Sequence, residues 1–190
     1  MTDQEFFFQY DKDTNGKTKF SNLNLLRRDI NTCFDINPND LSSKLGSSAL
    51  WPGTMGILAG IDLLAKFYAG DDAFDKSRPR FINFTTKFID SKVAEELYQL
   101  RNSLLHSFGL YSTDKTGNTV YKFVLTQDPS FFIKHNSTTD KYCVSIKTLH
   151  DKFEKSIADF YGIYPTLNSY NKFVDLFKRY GTTEIGKSLC

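Results

Sequence analysis

The stretch YQLRNSLLHSFG, residues 98–109, brings Arg101, Asn102 and His106 together near the end of one predicted helix. These groups suit phosphodiester chemistry without a metal. RNA cleavage by its own 2′-hydroxyl needs a base at that hydroxyl, an acid at the leaving 5′-oxygen and a cation for the charge on the phosphate in transit. His106 can act as base or acid near neutral pH. Arg101 can grip phosphate with a planar fork, and Asn102 can orient the phosphate or the imidazole through its amide. The same residue types also serve structure alone: Arg packs its stem and pairs with a carboxylate, Asn bonds a helix end, and an exposed His is idle.

The helix carrying these groups is predicted from Lys92 to Phe108, with Gly109 as its C-cap. At about 100° per residue, Val93, Leu97, Leu100, Leu104 and Phe108 fall within roughly 80° and form the expected core face. Glu95, Gln99, Asn102 and His106 share the opposite, polar stripe, with Asn102 and His106 as i, i+4 neighbours. Arg101 sits on the flank, roughly 140° from His106, although its stem can swing toward the stripe. One helix is therefore not expected to close the site alone. Two residues are supporting candidates, Gln99 on the stripe and Asp62 in the apolar run of residues 55–68. A carboxylate in that run must be paired or solvated. Asp62 either orients Arg101 or His106 across the bundle, or forms a structural ion pair or a solvent-facing stripe with Lys66, four residues on.

Around that helix the periodicity predicts a mainly α fold. Residues 1–20 read as a polar N-terminal arm or hairpin, with "DTNG" as its turn. From residue 21 to 190 a single domain is expected. Its helical bundle spans 21–108, a small antiparallel β-meander 109–147, and two closing helices 148–182. Within the bundle, Asn39 or Asp40 is the expected N-cap of a short helix. Pro52 to Tyr68 is apolar on nearly every face, as suits a central helix, and Gly53, Gly56 and Gly60 would let a neighbour approach closely. The meander strands are "GLYST", "TVYKFVLT", "SFFIKH" and "KYCVSIK".

Several function classes are disfavoured. A net charge of +2, from 24 basic and 22 acidic residues, gives no whole-molecule field to mark a polyanion partner, so nucleic-acid binding would have to be local. Cys33, Cys143 and Cys190 match no zinc pattern and read as idle thiols of a reducing cytosol. His106, His135, His150 and Cys143 have no close helical spacing, so neither a metal site nor a cofactor is expected. Asp11, Asp13, Asn15 and Gly16 begin a calcium-loop pattern, but Thr18 and Asn22 break it. No G-x-S-x-G elbow or phosphate loop ending in Lys-Ser or Lys-Thr occurs. Asp62 and Lys66 interrupt the longest apolar run, so no membrane span is expected, and nothing at the N-terminus reads as a signal peptide. A cytoplasmic location follows from that reading.

Arg101-Asn102-Ser103-Leu104-Leu105-His106 resembles the R-x4-6-H signature, with its polar residue after the Arg, of the HEPN superfamily of small helical proteins. The likeness is close over about a dozen residues and extends by helix order to residues 21–108. It implies a HEPN-like bundle and a metal-independent endoribonuclease, of the kind found in toxin and antiviral systems, with RNA as partner. It also implies a homodimer whose protomers bring their motifs together in one cleft, which would supply the Arg and His that one helix cannot. The alternative within the family is a non-catalytic module that binds RNA, a nucleotide or a protein such as an antitoxin.

Overall fold

The computed structural model describes residues 1–11, 19–35, 49–114, 116–163 and 170–184. The fold is mainly α. Among those residues, helices α1 (Asp3–Phe8), α2 (Asn22–Cys33), α3 (Leu50–Ala69), α4 (Ser77–Phe88), α5 (Ala94–Ser107), α6 (Ile146–Ile163) and α7 (Tyr170–Tyr180) carry most of the chain. Strands β1 (Lys19–Ser21) and β6 (Thr182–Glu184) form one small sheet. A second holds β2 (Tyr111–Thr113), β3 (Val120–Thr126), β4 (Ile133–Asn136) and β5 (Lys141–Ser145). No helix among the described residues is long and apolar enough to cross a membrane.

The centre is α3, whose Ile57, Leu58, Ile61, Leu64 and Phe67 are fully buried. Its glycines do what their spacing predicts. A Cβ added at Gly56 would stand 2.8 Å from Ile30, and one at Gly60 would stand 2.6 Å from Phe153, so α2 and α6 approach nearly to the backbone. Phe34 lies as close over Gly53. On the other side, rings from five helices interlock: Phe7 meets Phe67 at 4.4 Å, Phe67 meets Phe173 at 4.7 Å, and Phe84 meets Phe160 at 5.8 Å. Offset and edge-on aromatic pairs of this kind add to the area they bury.

The structure departs from expectation at the N-terminus, where an arm or hairpin was predicted. Residues 3–8 form α1, and Phe7 and Phe8 lie in the core. The cause is a capping box: Thr2 Oγ1 accepts from the Glu5 N–H, and the Glu5 carboxylate accepts from the Thr2 N–H at 2.7 Å. A helix turns two successive phenylalanines inward where a polar arm would expose them. Residues 12–18, with most of the calcium-loop pattern, and 36–48, with the predicted short helix, lie outside the described residues.

The second sheet also corrects the predicted antiparallel meander. Its strand order is β2-β3-β5-β4, and β3 pairs with β5 in parallel, Phe123 opposite Tyr142 and Leu125 opposite Val144. Burial explains the exchange. β5 ends in the buried Val144 and Ser145, whereas Lys134, His135 and Asn136 of β4 are exposed. The apolar strand takes the inner position and the polar one becomes the edge. β5 then runs straight into α6, where Ser145 Oγ accepts from the Thr148 N–H at 3.3 Å.

Candidate active site

The helix of interest, α5, packs Leu97, Leu100 and Leu104 into the core with no exposure. Phe108, predicted on that core face, is instead 71% exposed. It ends the helix in the left-handed conformation (φ 47°), one residue before the expected Gly109, whose N–H donates to the Ser103 carbonyl at 3.1 Å. The early turn lets the Leu110 carbonyl accept from the Phe123 N–H at 2.8 Å, which starts the sheet. It also folds β2 back over the polar stripe of α5. Gln99, on the expected polar stripe, is therefore buried: its amide donates to Glu95 at 2.9 Å and its carbonyl accepts from Ser112 Oγ at 2.8 Å. Glu95 is held in turn by Arg78 at 2.5 Å.

Beyond that roof the candidate residues meet. Arg101 Nε and Nη2 donate to a single oxygen of Asp62, at 2.9 and 2.5 Å, joining α5 to α3. Its Nη1 donates to Asn102 Oδ1 at 3.1 Å and lies 2.7 Å from His106 Nε2. A guanidinium has no acceptor, so Nε2 must offer its lone pair and the imidazole proton sits on Nδ1. The Arg101 stem does swing toward the stripe, so the expectation that one helix cannot bring Arg101 to His106 fails: the side chain spans the angle within one chain. Asp62 pairs with Arg101 across the bundle, and Lys66, four residues on, lies over the Tyr180 ring at 4.9 Å. The Arg101 and Asp62 side chains are largely buried, at 15% and 19% exposure, while His106 is exposed.

Three cavities of about 550, 460 and 400 Å³ surround this cluster. Asn102 borders the first two and His106 the last two. Tyr98, which sequence reasoning missed, borders all three. The signal was available: Tyr98 lies four residues before Asn102, within about 40° of it on the wheel. Charges around the rim are mostly engaged. Asp71 is drawn down to about 2 by hydrogen bonds from Lys76 and the Ala73 N–H, and Asp72 is lowered by the Tyr180 hydroxyl. Burial, then Glu95, raises the Tyr121 phenol, so it stays protonated. Among the described residues no group of three His, Cys, Asp or Glu side chains is placed to hold a metal.

Chemically, the cluster is a cation clamped from behind by a carboxylate, with a neutral imidazole and an amide in front. Comparison with family models, with curated proteins and with solved structures returns no match.

Proposed function

We propose that the chain is a HEPN-like metal-independent endoribonuclease, with Arg101, Asn102 and His106 contacting the scissile phosphate and its ribose. The observation that carries this reading is the 2.7 Å contact between Arg101 Nη1 and His106 Nε2 at the mouth of open cavities, with Asp62 holding the guanidinium from the other side. An entering phosphate competes for Nη1, and its displacement from His106 frees the Nε2 lone pair beside the substrate. That nitrogen removes the 2′-hydroxyl proton as the oxygen attacks phosphorus, and Arg101 stabilises the equatorial charge. The products are a 2′,3′-cyclic phosphate and a free 5′-hydroxyl. Asp62 is a positioning residue that keeps the fork in place, and Gln99 supports the helix from behind.

The reaction needs an acid as well as a base, and His106 is the single histidine at this cleft. A homodimer with the two stripes facing across a two-fold axis would bring a second imidazole to the leaving oxygen. Incubation with structured RNA in EDTA tests the reading: wild type should yield cyclic-phosphate ends, and His106→Ala should not. Light scattering at micromolar concentration tests the dimer.

One observation favours a second reading, a non-catalytic HEPN-like module. Arg101 is already engaged by Asp62, Asn102 and His106, as an arginine with a purely structural task would be. RNA binding without cleavage would select it.

A further inference from the structure

Two aromatic residues at this site each present a group that the fold does not use. The Tyr98 ring is packed, with 8% of the residue exposed, against Phe81 at 5.7 Å. Its hydroxyl, however, has no hydrogen-bond partner among the described residues. That hydroxyl is not sealed from solvent, and the residue lines all three cavities. A buried phenol ordinarily finds a partner for its O–H. Phe74 shows the opposite anomaly. It is 93% exposed on the turn before α4, yet it borders the cavity shared by Arg101 and His106.

We infer that Tyr98 and Phe74 bind the substrate, and that the substrate is a short single-stranded stretch of RNA. The inference rests on the endoribonuclease reading and names what that site accepts. Phe74 offers a free ring face at the cavity mouth, on which an unpaired base can stack; a base locked in a duplex has no face to give. The Tyr98 hydroxyl, on a residue that lines all three cavities, donates to a phosphate oxygen or a ribose hydroxyl beside the scissile bond.

Charge points the same way. In the Phe74 cavity four cationic side chains face three carboxylates, and Asp62, Asp72 and Arg78 are already in ion pairs. Such a surface neutralises few phosphates, so affinity must come from stacking and hydrogen bonding. With one or two phosphates engaged, log affinity should fall with log salt at a slope of about −1, far shallower than for a basic groove.

The experiment measures binding by fluorescence anisotropy with a labelled 2′-O-methyl oligoadenylate of about ten nucleotides, which the 2′-hydroxyl route cannot cleave. The same strand is annealed to its complement for comparison, and cleavage is followed in EDTA on unmodified RNA. Phe74→Ala should weaken single-strand binding roughly tenfold. Tyr98→Phe, which keeps the packed ring, should weaken binding several-fold while the circular dichroism spectrum stays unchanged. Wild type should prefer the single strand to the duplex. If cleavage depends on His106 but both variants bind as wild type does, or if the duplex binds equally well, the inference falls and the endoribonuclease reading stands. If wild type neither binds nor cleaves RNA, both fall together.

Discussion

The molecule contains two clusters of nearly the same composition. On α5, Arg101 pairs with Asp62 of α3, beside Asn102, His106 and Tyr98. On α2, Arg27 pairs with Glu154 of α6 and lies 4.4 Å over the Tyr10 ring. Asn31, beside it, donates to the Tyr10 hydroxyl at 2.9 Å and lies 3.1 Å from His150 Nε2. Each has an arginine, a carboxylate from another helix, an asparagine, a histidine and a tyrosine. In the α2 cluster every polar group is turned on another, and His150 is covered by the edge of Phe34 at 5.8 Å. In the α5 cluster the tyrosine hydroxyl is unengaged and the histidine faces solvent. Residue inventory therefore does not tell the two clusters apart; exposure of the imidazole does.

The sharpest way to break this contrast is to delete each histidine. His106→Ala should lower RNA cleavage at least about a hundredfold, the usual scale of an acid–base group, with little change in melting temperature. His150→Ala should do the reverse, keeping cleavage and lowering the melting temperature. Equal effects on cleavage would erase the distinction. The next largest effect is on stability. Glu154→Ala leaves Arg27, 14% exposed, without its partner and should cost about 2–3 kcal/mol in chemical denaturation. Asp62→Asn keeps an acceptor for Arg101, so it should cost about 1 kcal/mol while reducing cleavage through a loosened guanidinium.

Acidification separates the clusters more gently. Burial lowers the His150 pKa below its ordinary 6.5, against the opposing pull of Glu154 and Asp151. The unfolded chain then binds this proton more readily than the folded one. Stability is complete above 6.5 and declines as pH falls from there through the folded value. His150→Gln should flatten that decline in pH-dependent melting; an unchanged slope would show that His150 is not its source. The smallest change is expected at Phe108, where a left-handed residue other than glycine carries strain and its exposed ring anchors nothing in the core. Phe108→Gly should raise stability by about 0.5–1 kcal/mol in denaturant titration.

Much of the helical layout was legible because its signals are local. The run after Trp51 and the leucines of α5 show helical period, and the three glycines of α3 announce close neighbours. The four strand segments of the second sheet were readable too, but their order was not, since period-two alternation says which face is buried and nothing about which strand lies beside which. Two local signals were passed over: the Thr2–Glu5 capping box, and Tyr98 on the polar side of α5. The pairing of Arg101 with Asp62 was one of two alternatives for that aspartate, and the choice needed the packing of α3 against α5. The wheel left open whether Arg101 reaches His106, because it projects Cβ directions, whereas a guanidinium acts several ångströms farther out. The burial of Gln99 was not legible because its roof comes from β2, which a single helix cannot anticipate.

The pairing of β1 with β6 has a consequence for the order in which the protein comes into being. Ser21 faces Thr182, and the Asn22 side chain is hydrogen-bonded to Thr183, 161 positions later. At a synthesis rate of roughly 5–20 residues per second, the first of these strands waits on the order of ten to thirty seconds for the second to be made. During that interval Lys19–Ser21 has no strand partner, and the sheet that fastens the two ends of the described chain can form only after residue 184 has left the ribosome. Helices α2 to α5 can assemble while later segments are still being made, but this fastening waits for β6.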